Sequence, residues 1–235
     1  MMLPYLDQKS LYDAINFQLD SAETGLASAN ETAAQVRIST FSCPSDTQAG
    51  DRDLAGRTNY AVNRGVEYRR FDYNGAFGRR PYKFADFKDG TSSTVAMSEW
   101  VAGPGPYGHR DNLGTIFELP TDLDGPDRFD QFVNRCQGID TNISPVAAND
   151  KGVRWLAGGY WSTAYNHSIG INGPSCISGG FAQEGAYSAS SFHLGGGNVV
   201  FVDGHAKFVR EAISLATWRA VGTRSGGEAL NSGSF

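Results

Sequence analysis

The sequence predicts an α+β domain: an N-terminal helix packed on an antiparallel β-sheet, with large loop insertions between strands. Three observations predict it. Glycine fills 29 of 235 positions while charged residues stay at 19%, a balance that favours strands joined by many turns over a helical bundle. Apolar residues fall at near-helical spacing towards both ends, Leu6, Leu11, Tyr12 and Ile15 at the start and Ile213, Leu215, Ala216, Trp218 and Val221 at the close. Between these ends, Asp203-Gly204 separates the apolar run Val199 to Val202 from the run His205 to Val209, which is the strongest short-range hairpin signal. The length suits one domain over residues 1–235, large enough to bury a core.

Taken in order, Leu3-Pro4-Tyr5-Leu6 and the following DQKSLYDAINF read as the first helix, with Pro4 in its first turn. Residues 20–35 are small and polar and read as a loop or a weak helix. In Phe41-Ser42-Cys43-Pro44-Ser45-Asp46, the proline forces Cys43 extended, and Ser45 and Asp46 supply acceptors for a turn. Residues 64–83, rich in Arg, Tyr, Phe and Gly without a period, predict a long loop of the kind that carries recognition. Asp89-Gly90 predicts a turn before a buried strand that ends at Glu99, whose carboxylate is expected to be paired structurally. Residues 103–150 form an irregular insertion. Trp155, Tyr160, Trp161 and Tyr165 predict an aromatic strand pair; they read first as core or sheet-face residues and second as a stacking shelf for a sugar. A two-residue turn at Asp203-Gly204 would pair Phe201 with Ala206 and Val199 with Phe208, making those four the core face. A helix over 211–221 with Gly222 as C-cap closes the fold, and 225–235 reads as a frayed tail.

The residues exclude several chemistries. A net charge of −5 with no basic stripe leaves no nucleic-acid footprint; the pairs Arg69-Arg70 and Arg79-Arg80 are diluted by acidic neighbours. Gly-Pro-Gly-Pro-Tyr-Gly over 103–108 fits a dinucleotide fingerprint literally, but its prolines do not open a helix. His109-Arg110-Asp111 matches a kinase triplet without the rest of the kinase set. There is no G-x-S-x-G elbow and no H-E-x-x-H, and the four histidines stand scattered at 109, 167, 193 and 205. No catalytic residue is therefore assigned and no cofactor is expected. Asp122, Asp124 and Asp127 around Gly125 are the raw material of a calcium loop but lack the distal bidentate Glu, so a solvated acidic turn is the first reading. His193 and Asp203 can approach one another if the Gly195-Gly196-Gly197 loop folds back on the hairpin; a structural hydrogen bond is expected, with a metal set of His193, Asp203 and His205 as the alternative. No signal peptide or membrane span is visible, so the chain as given is expected to be soluble.

His193, then nine residues, then Asp203-Gly204, followed by AISLATWRAVGTRSGGE, closely resembles the prepilin-type processing-associated H-X9-DG domain family, abundant in planctomycetes and their relatives and largely of unknown function. The Phe41–Asp46 element, Asn59-Tyr60-Ala61, the block from Asp89 to Glu99 (with Ser93 where Asn is usual) and Asn172-Gly173-Pro174-Ser175-Cys176 also resemble its motifs. Little resemblance runs through 103–150. The resemblance implies a pilin-like fold, and an LPYLEQ-like segment well downstream of a prepilin leader and apolar anchor helix. From it the chain is expected to be truncated, with the full-length protein periplasmic or at the cell surface and touching membrane only through the missing helix. Calcium loops occur in some pseudopilin heads. The resemblance also implies a Cys136–Cys176 disulfide, and a partner for Cys43 in the missing segment. The function expected is a non-enzymatic, pseudopilin-like envelope protein displaying loops to other subunits; a glycan-binding module using the four aromatics is the alternative, and a hydrolase the third.

Overall fold

The computed structural model describes residues 2–19, 29–46, 56–67, 73–105, 111–119, 128–160, 162–178 and 185–228. The described residues form two sheets and four short helices, so the chain is mixed α/β and mainly β. The first sheet has five strands: β1 (Tyr60–Asn63), β2 (Val95–Glu99), β5 (Ala164–Tyr165), β8 (Gly196–Phe201) and β9 (Ala206–Arg210), in the order β5-β1-β2-β8-β9. Its pairings are antiparallel except β1 with β5. The second has β3 (Ile116–Leu119), β4 (Val146–Ala148), β6 (Ser175–Ser178) and β7 (Gly185–Ala186), in the order β4-β3-β6-β7, with β3 and β6 parallel.

The main core draws on both sheets. Val95, Val199, Phe201 and Val209 from the first meet Ile116 and Ile177 from the second, with Trp100, Tyr187 and Trp218 among them. Strand alternation does the sorting: Ile116 faces this core, while its neighbour Phe117 faces a second cluster on the other side. There α3 (Arg128–Gln137) lays Phe132, Val133 and Cys136 against the sheet, and the disulfide from Cys136 to Cys176 of β6 ties helix to strand at a Cα–Cα distance of 5.9 Å. No helix among the described residues is long and apolar enough to cross a membrane.

The expected pilin-like arrangement is corrected by this architecture. Leu3–Leu6 is a 3₁₀ turn, stopped at Asp7, which takes φ 57° in the left-handed region. After it, α1 (Lys9–Ala14) buries no residue of its own. The apolar positions of this stretch join a small cluster of Leu3, Ile15, Ala33, Ala34, Ile38, Trp155 and Leu156 instead of lying along a sheet. A second short helix, α2 (Glu31–Ala34), supplies two of these residues.

At the other end α4 (Leu215–Gly222) forms as predicted, with Ser214 accepting from the Thr217 amide as N-cap and Trp218 and Val221 buried. Gly222 is not its C-cap, which is Thr223. It is needed for close approach: a Cβ there would stand 2.4 Å from the His167 ring.

The hairpin register is also corrected. Phe201 donates its amide to the His205 carbonyl, and Val200 pairs with Ala206. The loop therefore holds three residues, Val202, Asp203 and Gly204, with only Gly204 at positive φ (95°). One extra loop residue moves every β9 side chain to the other face. Val209 is buried at 2% exposure while Phe208, expected in the core, is 43% exposed.

Candidate functional site

The N-terminal end of β8 is where the fold gathers polar groups from distant parts of the chain. Asn59, just before β1, accepts the Cys43 amide on Oδ1 at 2.9 Å, and its own amide donates to the Phe41 carbonyl. Its Nδ2 donates to Asp46 and to the Trp100 carbonyl. One buried side chain thus fixes the Cys43 turn onto the ends of β1 and β2. Glu99 closes β2 opposite Tyr60. Its carboxylate accepts from the Asn198 amide at 2.8 Å and from Asn198 Nδ2 at 3.1 Å. His193, whose amide donates to Ser191 Oγ, leads into β8 and swings its ring over the pair.

His193 Nε2 lies 3.4 Å from Glu99 Oε1 and 3.8 Å from Cys43 Sγ. Thiol, imidazole and carboxylate each offer one donor atom, and the three lie within 4.8 Å of one another. Cys43 and Glu99 are buried, whereas the His193 side chain is 34% exposed, so the cluster opens to solvent on the histidine side. Among the described residues no lysine or arginine is ion-paired with Glu99. Burial first, then the neighbouring Cys43 and Glu99, holds the Tyr60 hydroxyl above its ordinary pKa and keeps it protonated.

This is not the geometry of a thiol hydrolase. A nucleophile–base–orienter relay uses both imidazole nitrogens, one for each partner. Here sulfur and carboxylate address the same Nε2. The Cys43 amide, the natural first donor to an oxyanion, is already given to Asn59. Three donors converging on one point make a chelate or a hydrogen-bonded knot.

Other predicted site residues lie elsewhere. Asp203 does not meet His193: β8 separates them by roughly 20 Å at about 3.3 Å per residue. Asp203 Oδ1 accepts from the His205 amide at 3.1 Å and sits 2.7 Å from His205 Nδ1, and Gly204 supplies the turn. The metal set of His193, Asp203 and His205 is excluded by the same separation. Trp155, Tyr160 and Tyr165 are buried and present no exposed shelf; Tyr160 stacks on Tyr187 at 4.9 Å, and Trp155 Nε1 donates to the Val36 carbonyl. Asp122, Asp124, Asp127 and Trp161 lie outside the described residues, as do His109 and the pair Arg69-Arg70. Glu99 is paired as expected, but its histidine partner and Cys43 were missed as a set. Each was legible only as a local turn or strand end, and no spacing rule joins residues so far apart in sequence.

Two further features bear on function. The loop predicted over 64–83 contributes to a surface cleft of about 830 Å³ lined by residues that include Phe77, Arg79, Arg80, Tyr82, Lys83 and Phe84. Deep in the core, Lys151 gives its ammonium to the Leu113 and Ser188 carbonyls at 2.9 and 3.1 Å; burial lowers its pKa to about 7, opposed by Asp111. Its partners are core carbonyls and the Ser175 and Ser190 hydroxyls, which gives it a structural role.

Fold and site together define a β-rich two-sheet protein, tied by one disulfide and carrying a thiol–imidazole–carboxylate cluster at the ends of the inner strands of its larger sheet. The chain belongs to the DUF1559 family, described as a protein of unknown function, whose match runs over residues 1–216. No curated protein and no solved structure matches the chain.

Proposed function

We propose that this DUF1559 protein is a non-enzymatic cell-envelope or surface protein of the H-X9-DG type, whose loops serve assembly with other envelope subunits or recognition. The observation that carries this reading is the Cys136–Cys176 disulfide, buried at both sulfurs and joining α3 to β6. Structural disulfides of this kind persist in oxidising compartments and are rare in the cytosol. The aromatic and basic cleft along 76–87 supplies a recognition surface, and convergence of Cys43 and Glu99 on one imidazole nitrogen argues against acyl-transfer chemistry. The alternative glycan-binding reading rests on four rings, three of which, Trp155, Tyr160 and Tyr165, are buried, so we give it second place.

Fractionation of the native host, followed by mass mapping of the protein under non-reducing conditions, tests the proposal. We expect the protein in the envelope or outside the cell, with Cys136 linked to Cys176. Recovery from the cytosol with three free thiols would overturn it.

A further inference from the structure

We propose that Cys43, Glu99 and His193 form a binding site for one divalent transition-metal ion of zinc's class, held by three protein ligands with a fourth position open to solvent. The donor set is the first argument. Thiolate, imidazole and carboxylate are the ligands that zinc combines, and a mixed S, N and O set fits neither calcium nor magnesium. Geometry is the second. Tetrahedral bonds of about 2.3 Å to sulfur and about 2.0 Å to nitrogen and oxygen put S and N roughly 3.5 Å apart and N and O roughly 3.3 Å apart. The corresponding separations here are 3.8 Å and 3.4 Å. Two of the three donor separations are thus within a few tenths of an ångström of the tetrahedral values, and the third, sulfur to carboxylate, lies within 4.8 Å. The third argument is support. Glu99 is oriented by two hydrogen bonds from Asn198 and Cys43 is oriented through Asn59, the outer partners that metal ligands require. The fourth is charge. Glu99 is a buried carboxylate with no lysine or arginine paired to it among the described residues, and a cation supplies that missing charge.

Loading the site breaks the Cys43 S–H bond and forms a sulfur–metal bond, with the proton leaving to water; no oxidant is consumed. The partly exposed His193 marks the entry side. An ion there would tie three sequence-distant segments, the Cys43 turn, the end of β2 and the approach to β8, into one unit.

The test uses the untagged 235-residue chain with the Cys136–Cys176 disulfide intact and Cys43 reduced, stripped with a chelator and titrated with Co²⁺ and then with Zn²⁺ against a chromophoric competitor. We expect one equivalent of Co²⁺ with a thiolate-to-metal charge-transfer band, displaced by one equivalent of Zn²⁺. Cys43→Ser removes the band. His193→Ala and Glu99→Gln each weaken zinc binding by more than about 10-fold, more than Asn198→Ala, which removes only an outer partner. The His193→Ala variant changes a partly exposed side chain, so near-UV circular dichroism should match the parent and separate metal loss from misfolding. Absence of stoichiometric binding by the parent chain would overturn the proposal. So would a charge-transfer band that survives Cys43→Ser, or the finding that Cys43 of the native protein is held in a second disulfide. Metal binding and its loss in the variants do not bear on cell location, so the envelope reading stands or falls separately.

Discussion

The two ends of β8 carry the two halves of one sequence signature and are built on different principles. At the Asp203-Gly204 end the side-chain bonding is local: Asp203 bonds to His205 two residues on and Gly204 supplies the positive φ, while the Val202 and Asp203 amides donate to the Thr94 and Thr91 carbonyls. At the His193 end the side-chain contacts are long-range, and only the His193 amide bonds locally, to Ser191 Oγ. His193, Glu99, Cys43 and Asn59 come from four separate segments and meet only because β1, β2 and β8 align. The contrast teaches that a motif's spacing can record a strand length rather than a contact. The nine residues between His193 and Asp203 are what it takes to reach the site, run the length of β8 and turn.

Histidine chemistry gives the widest separation between buried and exposed parts of the fold. His167 is fully buried, stacked on Trp218 at 3.9 Å, with Nδ1 donating to the Trp218 carbonyl and Nε2 against Tyr165. Burial lowers its pKa to about 3, against 6.5 when unfolded, with the Trp218 hydrogen bond opposing. The unfolded chain therefore binds a proton that the folded chain refuses between those values. The His167 contribution is intact above pH 6.5 and is lost as pH falls towards 3, by as much as roughly 5 kcal/mol. Urea unfolding at pH 6.5 and pH 4 should show this slope reduced in His167→Gln and unchanged in His205→Ala, at the exposed turn. Equal slopes in all three proteins would remove the explanation.

The comparison of the two β8 ends is tested most directly by paired substitutions. Asn59→Ala strips the acceptor from the Cys43 amide and the donor from Asp46, both buried, and should cost roughly 3 kcal/mol. Asp203→Ala removes exposed local bonds and should stay within about 0.5 kcal/mol. Comparable losses measured by denaturant titration would mean that the turn is as deeply committed as the site.

Much of the local structure was legible in the sequence. Asp89-Gly90 with the β2 strand and the α4 helix around Trp218 follow from turn chemistry or apolar period, and the described part of the loop after Arg64 follows from the lack of one. What was not legible depends on non-local packing. The N-terminal stretch has near-helical spacing, yet Asp7 breaks it, and its apolar residues are claimed by Trp155 and Leu156 rather than by a sheet. Half of the second sheet, β3 and β4, was lost in an insertion read as irregular, although Phe129, Phe132, Val133 and Cys136 stand at helical spacing in α3. The cluster of Cys43, Glu99 and His193 left no trace in spacing because each arrives on a different element.

One-residue register is the finest point on which sequence and structure part, and it is measurable. Val209→Ala, in the core, should destabilise by about 2 kcal/mol, and Phe208→Ala, half exposed, by less than about 1 kcal/mol. The two-residue turn predicts the reverse order, so the pair decides between registers.

A further small effect is at the turn itself. Gly204 has φ 95° with open space where a Cβ would stand, so Gly204→Ala meets no clash and pays only for backbone strain. The expected loss is about 1 kcal/mol in thermal or denaturant unfolding, and the Cys43–Glu99–His193 cluster should keep its properties because β8 lies between. A change at the cluster after Gly204→Ala would show the two ends to be coupled through the strand, and the separation argued from their bonding would fail. An unchanged cluster above a weakened turn would instead show that the spacing serves β8 as a length, with the glycine needed only where the chain reverses.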